Sequence, residues 1–130
     1  MAKKSSKAPD RKRGFFTSFH YAGNGLKAVF YRGKNIRIFT IIIVLVLLAG
    51  YLLNVTTVEW LILIMIMSIT FVAEVFNTSI EVLCDKVSPK KDPHIAIAKD
   101  IAAAAVLTLA IASAVIGTTI FLPRLITLFS

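Results

Sequence analysis

The sequence predicts an all-α membrane protein, with one N-terminal amphipathic surface helix followed by three transmembrane helices. Three observations carry that reading. Hydrophobic residues make up 57% of the 130-residue chain and its mean hydropathy is +0.79, more apolar side chain than so small a soluble domain has interior to hide. The apolar residues are gathered into three long runs, at 38–53, 58–83 and 101–122. The basic residues avoid one side of these runs. Ten of the fifteen Lys and Arg precede the first run, none lies between the first and second, four lie between the second and third, and one follows the third. That alternation places the N-terminus and the loop after the second run in the cytoplasm, and the C-terminus outside.

The elements follow in chain order, as one domain. Residues 1–14 are polar and basic, carry Pro9, and are expected to be disordered. Over residues 15–31, Phe15, Phe19, Ala22, Leu26, Val29 and Phe30 recur at helical spacing, with His20, Asn24 and Lys27 elsewhere around the wheel. This segment is too polar to span a bilayer and is expected in the headgroup layer, on lipid or against the other helices. The first span is expected over 36–54, around an uncharged core at Ile38–Leu53. Asn54, Thr56 and Thr57 supply a short turn. The second span is expected over 58–84; its apolar stretch, 58–83, is about 39 Å long as a helix, longer than a hydrocarbon core of roughly 30 Å, so its cytoplasmic end protrudes. A charged loop at 85–95 holds Pro89 and Pro93, and a third span at 97–122 is expected to end at Pro123 and Arg124.

Several function classes fall away. The net charge of +8 could serve nucleic acid, but aromatic residues do not interleave with the basic ones as a single-strand binder requires. The charge reads instead as a cytoplasmic flank touching anionic lipid, with no nucleic-acid partner. Cys84 is the single cysteine, so neither a disulfide within the chain nor a cysteine zinc cluster is available. His20 and His94 lie far apart without ligand partners in sequence, and the polar start at residues 1–13 is not a signal peptide.

The chemistry is concentrated in the second span, at EVFNTSIEVLCD. At 100° per residue Asn77 lies about 60° from Glu74, with Glu81 about 20° to one side and Asp85 about 20° to the other. These four polar residues share one stripe. An ionised carboxylate at mid-membrane costs about 2.5–3.5 kcal/mol even on insertion scales, so the stripe must face protein, water or a cation. Lys99 and Asp100 open the third span at the same level. Carboxylates with a lysine at a cytoplasmic face suit a magnesium–nucleotide site, because Mg²⁺ takes one or two carboxylates and completes its shell with phosphate and water. Neither a Walker A loop nor a kinase glycine loop is present. A buried polar network that fixes helix register and a proton or cation path remain alternatives at this level.

These residues resemble a known family. Glu74-x-x-Asn77-Thr78-x-Ile80-Glu81-x-x-x-Asp85, a short loop VSPKKDP, then IAKDIAAAAVL is similar to the bacterial diacylglycerol kinase and undecaprenol kinase family of integral membrane lipid kinases. The likeness covers roughly residues 15–120. It implies a homotrimeric helix bundle in the bacterial cytoplasmic (inner) membrane, with sites between subunits, that transfers the γ-phosphoryl group of ATP to a lipid hydroxyl with Mg²⁺ as cofactor. It implies Glu74 as the general base and Glu81 as the metal ligand, with Asn77 ordering the site. It implies Lys99 on the nucleotide phosphates, Asp100 bracing that region and Asp85 on the nucleotide side. Counting about 20 spanning residues from Val58 leaves Glu81 near the headgroup boundary and Glu74 about 8 Å inside it, so lipid and nucleotide would meet from opposite sides. The SPxxxP loop and AKDIAA run look more like the undecaprenol branch.

The sequence departs from the family pattern at four places. In GKNIRIF, Gly33 stands where the family carries a second metal-ligating glutamate, which implies a weaker hold on Mg²⁺. Gly33→Glu is expected to restore it and to be tolerated if the backbone there is helical. Asp92, Ala96 and Ala104 replace a customary His, Lys and Gly. The lead reading is an ATP-dependent lipid kinase. A catalytically weakened lipid-binding relative and a small oligomeric transporter or ion-conducting protein are the alternatives; labelled ATP reaching lipid would separate all three.

Overall fold

The computed structural model describes residues 14–88 and 92–130. The N-terminal segment read as disordered and the loop residues 89–91 lie outside the described residues, Gly14 excepted. Four helices follow in order: α1 Phe15–Arg32, α2 Lys34–Leu52, α3 Thr57–Val87 and α4 Pro93–Phe129. The last three are long and apolar enough to cross a membrane, which makes the chain a multi-pass membrane protein. Helix α3 is the hub, touching each of the other three.

Gly33 alone separates α1 from α2. Its backbone is extended (φ −80°, ψ 114°) and its N–H donates to Val29 O at 2.7 Å. Helix α1 leans on α3 through Phe30, whose ring lies 6.4 Å from that of Phe71, while Phe15, Phe16 and Phe19 stand exposed. At the other end of α2, Asn54 takes φ 51°, a left-handed conformation that Asn tolerates and that reverses the chain. Thr56 then caps α3 in a capping box with Glu59, each side chain bonding the other's backbone N–H. Gly50 makes this corner close. A Cβ there would lie 2.6 Å from the Trp60 ring, so only glycine lets the indole rest on α2.

Helices α3 and α4 form a long antiparallel hairpin joined by three polar rungs. Glu59 and Arg124 pair at one end through two bonds of 2.6 and 2.9 Å. Thr70 and Ser113 meet at 3.1 Å in the middle, and Asp85 and Lys99 pair at 2.9 Å at the other end. A small apolar core of Val55, Leu63 and Ile120 fills the Glu59 end, packed by Trp60, Met67 and Phe121. Most other large apolar side chains point outward, as expected where lipid is the solvent.

The structure moves two boundaries. Helix α4 starts at Pro93 rather than after the expected loop, because Asp92 caps it by accepting from the His94 N–H at 2.8 Å and proline suits the first turn. It also does not end at Pro123, but runs through it to Phe129. Proline withholds one backbone donor and crowds the preceding turn. The Arg124 guanidinium donates to Ile120 O at 2.8 Å in that turn, while the carbonyl that Pro123 itself deprives of a backbone donor is the neighbouring Thr119 O.

Candidate active site on the polar face of α3

The stripe read from sequence is a buried face in the structure. Glu74 is 1% exposed and Asn77 4%. Thr70 and Thr78, one turn to either side of Glu74, are buried with them. Thr70 is satisfied: its hydroxyl donates to Ile66 O at 2.7 Å and meets Ser113. The carboxylate of Glu74 accepts from the Asn35 side chain at the start of α2. Its Oε2 has no hydrogen-bond partner among the described residues, and neither has Asn77 Oδ1.

An unmet buried polar group costs about 1–3 kcal/mol, and two on one face is a cost that helix packing does not explain. Both orphans are acceptors. A hydroxyl, an ammonium or a cation would satisfy them. The arrangement is therefore a buried polar face with two unmet acceptors, where α1, the start of α2 and α3 converge.

Farther along α3 the face opens. Glu81, two turns from Glu74, is half-buried. Asp85 and Lys99 form an ion pair whose side chains are 70% and 36% exposed. Pairs this open contribute little to stability. Asp100 is exposed and lies about 100° around α4 from Lys99; the structure does not draw it into the α3 face. Gly33 does reach the site: a Cβ on it would stand 3.3 Å from Thr78 Oγ1, 2.9 Å from Val29 O and 3.3 Å from an Ile36 methyl. It is buried and extended, so the condition on which Gly33→Glu was expected to be tolerated, a helical backbone there, is not met.

Thr78 and the Asn35–Glu74 bond were missed as site features. The first had a signal, since Thr78 falls about 40° from Glu74 on the wheel. The second crosses between helices and had none.

With this geometry in place, the comparisons with known proteins decide the family. The sequence model of the prokaryotic diacylglycerol kinase family matches residues 20–121. The chain belongs to that family. It is 36% identical over 111 residues to an undecaprenol kinase of Bacillus subtilis, covering 85% of this chain and 90% of the relative. It is also 33% identical over 134 residues to a diacylglycerol kinase of Synechocystis, covering 98% of this chain and 77% of the relative. By family, the chain is a membrane-embedded lipid kinase. The matched region contains all of α2 and α3 and every residue of the polar face, together with Lys99 and Asp100.

Proposed function

We propose that this lipid kinase transfers the γ-phosphoryl group of ATP directly to the hydroxyl of undecaprenol or diacylglycerol, with undecaprenol the favoured acceptor. The single observation that carries the reading is the buried Glu74 carboxylate with one oxygen unpartnered, at the inner end of a face that opens toward Glu81 and Lys99. In the transfer the lipid hydroxyl gives its proton to Glu74. Its oxygen forms a bond to the γ-phosphorus as the bond to the bridging oxygen breaks, and ADP leaves. Asn77 orients the reacting groups, and Lys99 leaves Asp85 to hold phosphate charge. Asp100 braces the region beside Lys99, two turns into α4.

The donor set fits magnesium that arrives with the nucleotide. No three His, Cys, Asp or Glu gather into a metal site of their own among the described residues. Glu81 offers one carboxylate, and Mg²⁺ is commonly held by one or two carboxylates plus phosphates. The orphaned Asn77 Oδ1 and Glu74 Oε2 add lone pairs that a cation or its water could use. When bound, the ion neutralises charge on the phosphates undergoing transfer. The outward apolar surface supports a place in the membrane, and the family resemblance is what suggests a homotrimer in the cytoplasmic membrane. The basic-residue count supports an N-terminus in the cytoplasm and a C-terminus outside.

The deciding experiment incubates purified protein in detergent with labelled ATP, Mg²⁺ and each lipid alone. Label recovered in undecaprenyl phosphate or phosphatidic acid is the expected result. Label in neither lipid, with the protein folded, sinks the proposal. Reporter fusions should place Ser130 outside, and a cytoplasmic Ser130 would overturn the orientation.

A further inference from the structure

A second polar recess lies on the opposite flank of Thr78, between α1 and α3. It encloses about 290 Å³ and is lined by Gly25, Ala28 and Arg32 from α1 and by Thr78 and Ser79 from α3, among others. That volume is the share of roughly ten waters. None of these residues is given a chemical step in the transfer described above, although Thr78 shares the buried face of Glu74.

Two features set the recess apart from an ordinary helix crevice. Helical Ser and Thr commonly turn their hydroxyls onto the carbonyl four residues back. Thr40, Ser79 and Thr108 do so here, at 2.8, 2.8 and 2.9 Å. Thr78 is only 3% exposed, yet its hydroxyl makes no such bond and has no partner among the described residues. Arg32, in the last turn of α1, lines the same recess without an ion pair or hydrogen bond among the described residues. An unpartnered Thr78 hydroxyl and the exposed, unpaired Arg32 guanidinium thus line one space, and Ser79 adds polarity at its edge.

A guanidinium with a hydroxyl donor is the chemistry that takes a phosphoryl oxygen. The remaining wall is apolar, from Ala28, Val29 and Val82, which suits a phosphate carried on a lipid better than a free ion. The position agrees, because α1 packs on α3 at the end where Glu81 and Lys99 emerge. We propose that the α1–α3 recess binds the phosphate headgroup of an anionic phospholipid through Arg32 and Thr78, seating the surface helix against the membrane. The inference rests on the membrane placement alone and not on the kinase reaction.

Its test therefore reads lipid retention and not turnover. The full chain is purified from detergent containing equal phosphatidylglycerol and phosphatidylcholine, and co-purifying lipid is counted by mass spectrometry. Wild type should retain phosphatidylglycerol selectively. Arg32→Gln should lower that retention about tenfold, the scale of one charge-assisted contact. Thr78→Val, nearly isosteric, should lower it less but measurably. Gly25→Leu should block it while folding normally, since a Cβ at Gly25 meets nothing within 4 Å. Lys27→Gln removes the same charge from α1 outside the recess and should change nothing. Equal retention by wild type and Arg32→Gln, or equal loss in Lys27→Gln, overturns the site. Displacement of the lipid by millimolar inorganic phosphate or ATP would show a soluble phosphate to be the ligand and overturn the lipid assignment.

Discussion

Glu74→Gln should remove activity without weakening the protein. The side chain is 1% exposed, one oxygen is held by Asn35 and the other has no donor. Replacing the carboxylate by an amide of the same shape keeps an oxygen for Asn35 and removes a buried charge. The amide hydrogens are new donors on a buried face that already holds the unmet Asn77 Oδ1. Relief of an unmet acceptor is on the order of 1–3 kcal/mol, so thermal stability in detergent should hold or rise. Turnover should fall by about 10² to 10⁴, the usual contribution of a positioned base, with nucleotide binding largely kept. The two measurements are lipid phosphorylation with labelled ATP and melting followed by circular dichroism. Near-normal turnover refutes the base assignment. A large loss of stability alongside lost turnover would make Glu74 a structural residue instead.

Three further outcomes follow from the same geometry. Glu81→Gln should raise the Mg²⁺ concentration needed for half-maximal rate, whereas Lys99→Ala should raise the KM for ATP; unchanged kinetics in steady-state assays removes the residue concerned from the site. Arg124→Leu should lower the melting temperature, because it strips Glu59 of both guanidinium bonds and leaves Ile120 O beside Pro123 without that donor; a double-mutant cycle with Glu59→Gln should show strong coupling, and additive losses would refute the rung. Gly33→Ala should itself cost about 1–3 kcal/mol by overpacking, read as a lowered melting point, and a neutral result would mean that α1 stands farther from α3 than these contacts require.

The spans and the polar face were legible in sequence for one physical reason: lipid tolerates charge so poorly that every retained acid must be accounted for. Three runs of apolar residues imply three spanning helices, and the 3.6-residue period places Glu74, Asn77 and Glu81 together before any contact is known. What pairs with what across helices was not legible. Lys99 could be placed at the level of the carboxylates, but its bond to Asp85 in particular depends on how α4 is rotated. Pro123 reads as a stop in isolation and is not one, since α4 runs through it to Phe129. Gly50 and Gly33 carried no sequence signal for the close contacts that they permit.

Gly33 joins the fold to the chemistry. Two facts about it, the absent carboxylate and the absent Cβ, have one structural meaning. Its φ and ψ are open to any residue, so backbone conformation does not demand glycine. The demand comes from Val29 O, Ile36 and Thr78, all within 3.3 Å of where a Cβ would stand. A glutamate could enter only if α1 shifted away from α3 or the link to α2 gave way. Its carboxylate would then serve a rearranged site, while Thr78 and Asn35, which flank Glu74, would move with the helices that carry them. Gly33→Glu and Gly33→Gln therefore share a steric cost that the added charge must first overcome. The lower Mg²⁺ requirement expected from an extra ligand should appear only as a difference between the two variants, not between either and the wild type. In this chain α1 packs onto α3 at the position where the family resemblance implies a second acid, so under the proposed function the hold on Mg²⁺ would fall to Glu81 and the nucleotide.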